Sequence, residues 1–252
     1  MGTLTGKTAL VTGGSRGIGR ATALALAAAG AHVLVHYGRA SNEADAVVAK
    51  IRDSGGRADA VSGDLVAADG PHQLAKRVRE MVGERLDILV ANAGISKSAT
   101  IEATTVKDFD DLFAVNVRAP FFLVQQLLPI LPEGASVILL SSLAAHAVVG
   151  TIYAYAATKG AIETLVKHFA SALGPRGIRV NAVAPGVVQT DMSNFTKTDS
   201  GREYALGIQA LKRLANADDI GDVVAFLASP RSVAINGDAI AAGGGARGAI
   251  HY

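Results

Sequence analysis

The stretch TALVTGGSRGIG, residues 8–19, passes from a short apolar run into glycines at 13, 17 and 19. TALVTG (8–13) has the length and composition of a buried strand. An alanine-rich helical pattern follows it to Ala29. Glycines at a strand-to-helix junction permit a tight turn and let backbone N–H groups approach a pyrophosphate at the positive end of the helix. The spacing is G-x-x-x-G-x-G, not the commoner G-x-G-x-x-G. Such a triplet also occurs in ordinary turns. Its place, first in an alternating chain, is what favours a nucleotide.

Outward from that junction the alternation continues. AHVLVHY (31–37) precedes a helical stretch over 42–54 that ends at Gly55-Gly56, a C-cap pair. ADAVSGD (58–64), a helix after Pro71, LDILVANAG (86–94) and a long helical stretch over 106–131 follow. ASVILLSS (135–142), a helix from near Thr151, IRVNAVAPG (178–186), a helix over 217–228 and an apolar segment at 237–242 close the series. Strands apolar on both faces and separated by helices predict a parallel sheet covered on both sides. The expectation is an α/β fold, one Rossmann-type doubly wound domain over residues 1–252, with no repeat or linker. The polar, weakly patterned stretch DMSNFTKTDSGREYALGIQALK (191–212) is expected to be a mobile substrate lid.

The 252 residues are 50% hydrophobic, with Lys+Arg 24 against Asp+Glu 22 and no cysteine. The near-balanced charge gives no reason to expect nucleic acid or a membrane surface as partner. Disulfides, thiolate metal sites and a cysteine nucleophile are excluded, and no metal site is expected. Residues 134–158 carry no charged side chain, yet Ser141, Ser142, His146, Gly150 and Thr151 at their centre suit a strand, loop and helix start better than lipid. The N-terminus runs directly into a strand without a signal-peptide pattern. A soluble cytoplasmic protein is expected.

A cofactor ribose belongs at the end of the second strand, where NAD-binding chains place an acid. Here the position is Tyr37, and no acid occurs between Gly19 and Glu43. Arg16 in the glycine loop and Arg39 beyond the strand suit a 2′-phosphate. NADP(H) is therefore expected before NAD(H).

Tyr155 and Lys159 are four apart and share a helix face, whereas the residue four beyond Tyr153 is Ala157. A phenol that donates and accepts protons near neutrality must move down from ~10 by about three pH units, roughly 4 kcal/mol. A neighbouring ammonium and a positively charged nicotinamide ring act in that direction. Ser142, at the carboxyl end of VILLSS, is placed to hydrogen-bond a substrate carbonyl and stabilise a developing alkoxide.

Glycine loop, NAG, serine and Tyr-x-x-x-Lys in this order resemble the short-chain dehydrogenase/reductase family over nearly the whole chain, in pattern closest to its 3-oxoacyl-acyl-carrier-protein reductase branch. The resemblance implies cofactor contacts at Gly13, Ser15, Arg16, Gly17, Ile18 and Gly19, within the motif Thr12–Gly19. It implies the same for Asp64 and Leu65 in GDL, which match the family's adenine-contacting segment, and for Asn92, Ala93 and Gly94, with Ala91 where the family has a first asparagine. Pro185, Gly186, Val188 and Thr190 match the nicotinamide segment; Thr190 also reads as a helix N-cap. The implied catalytic set is Asn116, which helps hold a proton-relay water, with Ser142, Tyr155 and Lys159, the last two also touching the cofactor. Near the end, Ala242 replaces the family's acid before the glycines of AIAAGGGARGAIHY. His36 and His146 match no family role. The helix after Tyr155 presents Ile162, Leu165, Val166, Phe169 and Leu173 at core spacing, and the family implies a homo-oligomer, tetramer or dimer, built with it.

The implied activity is NADPH-dependent reduction of a ketone or aldehyde, reversible as an alcohol dehydrogenase. An NAD-dependent dehydrogenase and a non-catalytic dinucleotide sensor are the rivals. The intact Ser142, Tyr155 and Lys159 speak against the sensor.

Overall fold

β1 (Thr8–Val11) leads to α1 (Gly17–Ala28), β2 (His32–Tyr37), α2 (Ser41–Asp53), β3 (Arg57–Ser62), α3 (Gly70–Val82) and β4 (Ile88–Ala91). Next, α4 (Val106–Phe113), a π-helical turn (Ala114–Arg118) and α5 (Ala119–Leu127) form one helical run. β5 (Ser136–Leu140), α6 (Tyr153–Leu173), β6 (Arg179–Pro185), α7 (Asp199–Gly207), α8 (Ala217–Ala228) and β7 (Ala239–Ala242) follow. This computed structural model describes residues 2–246. The seven strands pair in the order β3-β2-β1-β4-β5-β6-β7, all parallel. The expected doubly wound sheet is the one observed. Chain direction across the sheet reverses between β1 and β4, so the crevice opens above their carboxyl ends.

Strand alternation sorts the core into two layers. Leu10, Leu34, Leu89, Val137 and Leu139 face α3, α5 and α6. Val11, Val33, Val35, Val90 and Ile138 face α1, α2 and α8. Fully burying such a side chain contributes about 1.5–3 kcal/mol, and both faces do so, which explains why these strands read as continuous apolar runs. The helices α1 and α8 touch closely because Gly221 has no side chain: a Cβ there lies 2.9 Å from the main-chain carbon of Ala21.

Local signals set the ends. Gly55 adopts φ +81° after α2, and the Gly55 and Gly56 amides donate to Arg52 and Ile51 carbonyls at 2.8 and 2.9 Å, the expected glycine cap. Asn216 and Asp219 form a capping box on α8. Residues 134–158 resolve into β5, a 3₁₀ turn and the start of α6, as expected. The run Val106–Ile130 is long and apolar enough to cross a membrane, but half of it is buried, with Leu112, Leu123 and Leu127 in the protein interior. The stretch 191–212 is more regular than its sequence suggests, with 3₁₀ turns over Asp191–Lys197 and then α7. Phe195 and Tyr204 brace it edge to face at 6.4 Å. Ala242 pairs with Pro185 between β7 and β6. Residues 247–252 of the C-terminal segment lie outside the described residues.

Candidate active site

The loop after β1 is shaped by its glycines. Gly13 and Gly17 adopt φ +63° and +53°, the left-handed region that glycine enters without strain. Gly19 has no room for a side chain: a Cβ lies 2.1 Å from the Gly13 carbonyl oxygen. Ser15 is buried, Ile18 half-buried and Arg16 exposed at the N-cap of α1. That helix start has no side-chain cap and no acid in its first turn, so its N–H groups and positive dipole end are free for an anion. The loop after β4 locks onto this one. Asn92 Nδ2 donates to the carbonyls of Thr12 and Gly13 at 2.9 and 3.2 Å, and the Ala93 amide donates to Thr12 Oγ1 at 2.9 Å.

From the other side, the Thr190 methyl lies 3.5 Å from a Cβ built on Gly17, so the β6 loop faces the glycine loop. Thr190 is the N-cap of the 191–197 turn, without a side-chain cap bond. Pro185 ends β6; Gly186 abuts the Gly243 backbone, where a Cβ lies at 2.8 Å; buried Val188 bridges to Ala215. At the far end, Asp64 is exposed and turns its Oδ1 to the Val66 amide at 2.9 Å, beside buried Leu65. Tyr37 is half-buried at the end of β2, and Arg39 is exposed. Among the described residues neither Arg16 nor Arg39 enters an ion pair.

The polar cluster sits at the carboxyl end of β5. Ser142 caps a 3₁₀ turn over Leu143–Ala145, its Oγ accepting from the Ala144 amide at 3.2 Å, which leaves its O–H free to donate. Tyr155, in the first turn of α6, is 9% exposed, against 47% for Tyr153. One turn on, Lys159 is buried; its Nζ donates to the Leu140 carbonyl at 2.7 Å and lies 5.4 Å from the Tyr155 ring centroid. Burial lowers the ammonium to about 8. The phenol stands here without the nicotinamide that the expected downward shift includes. Burial pushes it above its ordinary value, and the Ser142 hydroxyl pulls it part of the way back. The hydrogen bond described for the Lys159 ammonium goes to the Leu140 carbonyl, which holds the cation near the ring.

Asn116 lies on the π-helical turn, a rare geometry frequent at functional sites. It is 1% exposed and grips the Ile95 backbone twice: Oδ1 accepts from the amide and Nδ2 donates to the carbonyl, both at 2.9 Å. Nδ2 also donates to Thr158 Oγ1 at 3.1 Å, and that hydroxyl donates to the Tyr155 carbonyl at 2.6 Å. Both amide protons are thus committed, and any water near Asn116 is left one lone pair of Oδ1. Gly94 sits between the two groups; a Cβ there lies 3.3 Å from Asn116 Oδ1 and 3.8 Å from Lys159 Nζ.

Several participants escaped the sequence reading. Thr158, the Leu140 carbonyl and the Ile95 backbone are three. Another group is Ser141, whose Oγ donates to Glu163 Oε1 at 2.7 Å, with His146 Nε2 on the same carboxylate at 2.8 Å. Glu163 alone had a legible signal, lying four beyond Lys159 on the same face.

Comparison with known proteins agrees with this geometry. The profile of the family described as Enoyl-(Acyl carrier protein) reductase matches residues 13–247. The hydroxynaphthalene reductase arp2 of Aspergillus fumigatus is 39% identical over 93% of this chain and 90% of its own. The structure of the angucycline C-6 ketoreductase LanV with bound NADP superposes with a TM-score of 0.92 at 40% identity, covering 97% of this chain and 96% of that one. The promiscuous reductase LugOII, which catalyses keto-reduction at C1 during lugdunomycin biosynthesis, gives 0.91 at 43% identity, over 96% and 98%. With glycine loop, parallel sheet and Ser-Tyr-Lys cluster in one frame, the chain belongs to the short-chain dehydrogenase/reductase family, the oxidoreductases of carbonyl and alcohol groups.

Proposed function

We propose that this protein reduces a bulky apolar ketone with NADPH, reversibly. The observation that carries the reading is the convergence of Ser142, Tyr155 and Lys159 at the carboxyl end of β5, beside an uncapped helix N-terminus of the kind that takes a pyrophosphate. Bound there, the nicotinamide supplies hydride to the carbonyl carbon and takes it back in the reverse direction. The hydroxyls of Ser142 and Tyr155 hold the carbonyl oxygen, and Tyr155 gives it a proton as charge develops. Lys159 stands beneath the phenol as a buried cation, able to steady a phenolate and to reach ribose hydroxyls. Asn116 and Thr158 fix the first turn of α6 against the β4 loop.

Arg16 and Arg39, exposed and with no acid at the end of β2, favour a 2′-phosphate over a bare ribose. The substrate class follows from the rim. Ile95, Val148, Met192, Phe195 and Tyr204 are large apolar or aromatic side chains left exposed on the loops and lid beyond β4, β5 and β6. The relatives named for hydroxynaphthalene and angucycline reduction favour a polycyclic aromatic ketone. Exposed Phe109 and Phe121 on α4 and α5, with Phe121 packed 5.4 Å from Phe169 of α6, offer the face for a homodimer or tetramer.

The test is a panel of aliphatic and polycyclic aromatic ketones with NADPH and NADH, run on the wild type and on Tyr155→Phe. Turnover is expected with NADPH on the aromatic members, and a loss of about 10²–10⁴-fold in the variant with cofactor affinity retained. Retention of most activity in the variant moves the proton donor elsewhere. Strong NADH preference removes the reading of the two arginines, and NADPH binding without turnover on any member makes the protein a sensor.

A further inference from the structure

His36, which matches no motif, is the last inward-facing residue of β2, 2% exposed and on the same strand face as Leu34. Both of its ring nitrogens are taken by main chain from two different loops. The Gly13 amide donates to Nδ1 at 3.1 Å, and Nε2 lies 3.0 Å from the Gly63 carbonyl oxygen. These partners decide the tautomer. An amide can only donate, so Nδ1 is a bare acceptor; a carbonyl can only accept, so Nε2 carries the hydrogen. The backbone of the same residue completes the grip, its carbonyl accepting from the Gly14 amide at 2.8 Å. Gly13 sits at φ +63°, which turns its N–H out of the β1 ladder and towards the ring. Gly63 is held equally closely: a Cβ there lies 3.2 Å from Nε2 and 3.3 Å from the Leu74 Cβ.

The two loops joined by this ring are those assigned above to the two ends of one dinucleotide. Gly13 opens the glycine loop, and Gly63 immediately precedes Asp64 and Leu65. Without the ring a part-buried donor and a part-buried acceptor lose their partners, and nothing else among the described contacts fixes the spacing of these loops through side chains. We infer that His36 is a positioning residue for the cofactor: as the neutral Nε2–H tautomer it sets the distance between the pyrophosphate loop and the adenosine-side loop, without touching the reacting atoms. Burial, which lowers the ring to about 4, keeps it in that neutral form throughout the physiological range. The inference rests on the dinucleotide reading above, though not on the choice of ketone.

The test separates positioning from general scaffolding. His36→Leu removes both ring bonds and His36→Asn places an amide oxygen near the Nδ1 position, restoring the Gly13 acceptor. Binding of NADPH and of NADH is measured by fluorescence titration, alongside kcat and both KM values. For His36→Leu the expected result is a rise of tenfold or more in Kd and KM for the cofactor, with kcat and the ketone KM within about threefold of wild type. His36→Asn, which regains one of the two bonds, should recover only part of the affinity. A folded His36→Leu that binds cofactor like the wild type overturns the inference, as does a loss in kcat and ketone KM as large as that in cofactor KM. If His36→Leu does not fold, ¹⁵N spectra of the wild-type imidazole decide: a protonated Nε2 and bare Nδ1, unchanged from pH 5.5 to 8, support the assignment. A protonated Nδ1, or titration near 6.5, refutes it. A wrong choice of cofactor shows separately, as a wild type that prefers NADH or binds neither.

Discussion

Lys159 should weaken the fold it belongs to, and the size of that effect is open to measurement. Its ammonium is lowered from 10.5 to about 8 by burial, with one backbone carbonyl as hydrogen-bond partner and no carboxylate. At 1.36 kcal/mol per pH unit, a folded chain that must keep this lysine charged loses about 3 kcal/mol relative to one in which it titrates normally. The sign is fixed by which state holds the proton longer. The unfolded chain keeps it up to about 10.5, the folded chain only to about 8, so the cost is complete at pH 7 and is relieved as pH rises between the two values. Linkage gives a recovery of about 2 kcal/mol between pH 7 and pH 9.5. Other groups titrate in that interval, but they cancel in the difference between wild type and Lys159→Met, a variant of similar volume. Tyr155 stays protonated there because burial holds it above its ordinary value. Urea unfolding of both proteins at pH 7 and pH 9.5, with equal slopes, should show wild-type stability rising by about 2 kcal/mol against the variant. A difference that does not move with pH means the lysine titrates normally, and the buried-cation argument fails with it.

Acid should act through His36 with the same sign of dependence, in a lower pH window. The folded ring stays neutral down to about 4 while the unfolded one protonates near 6.5, so stability present above pH 6.5 falls by about 3 kcal/mol by pH 4. Equilibrium unfolding of wild type against His36→Asn should show that excess sensitivity, and parallel curves would contradict it. Asn116→Ala strips the Ile95 amide and carbonyl of their partners, at about 1 kcal/mol for each of these part-buried groups. Calorimetry should therefore find a loss of about 2 kcal/mol, and a loss below about 0.5 kcal/mol would mean that water replaces the amide.

What was legible in the sequence was whatever depends on spacing. Tyr155 could be separated from Tyr153 because only one of them has a lysine one turn on, and burial follows the same division. Gly13 and Gly17 announced a tight turn, and apolar runs announced a sheet covered on both faces. What stayed hidden depends on contacts between distant segments. The π-helical turn at Ala114–Arg118 adds one residue to a helical turn without changing the character of the pattern. The partner of Asn116 is the Ile95 backbone, 21 residues away, and no spacing rule connects them. His36 stands in AHVLVHY as one more buried position of a strand; its partners Gly13 and Gly63 meet it only once β1, β2 and β3 are side by side. The phenol's direction of shift was also beyond reach, since four-residue spacing brings an ammonium near the ring without saying where its protons point.

That last difference bears on the direction of the chemistry. Reduction leaves negative charge on the former carbonyl oxygen and needs a donor that carries its proton before the event. Alcohol oxidation needs a phenolate to accept one. Burial raises the phenol in the cofactor-free protein, so forming its anion depends on positive charge brought close to the oxygen. Lys159, at about 8, is still mostly charged at pH 7, and it can repay part of that cost only once negative charge starts to form on the oxygen above it. The same two groups thus serve both directions, the phenol giving its proton as charge forms on the substrate oxygen and taking it back in the reverse.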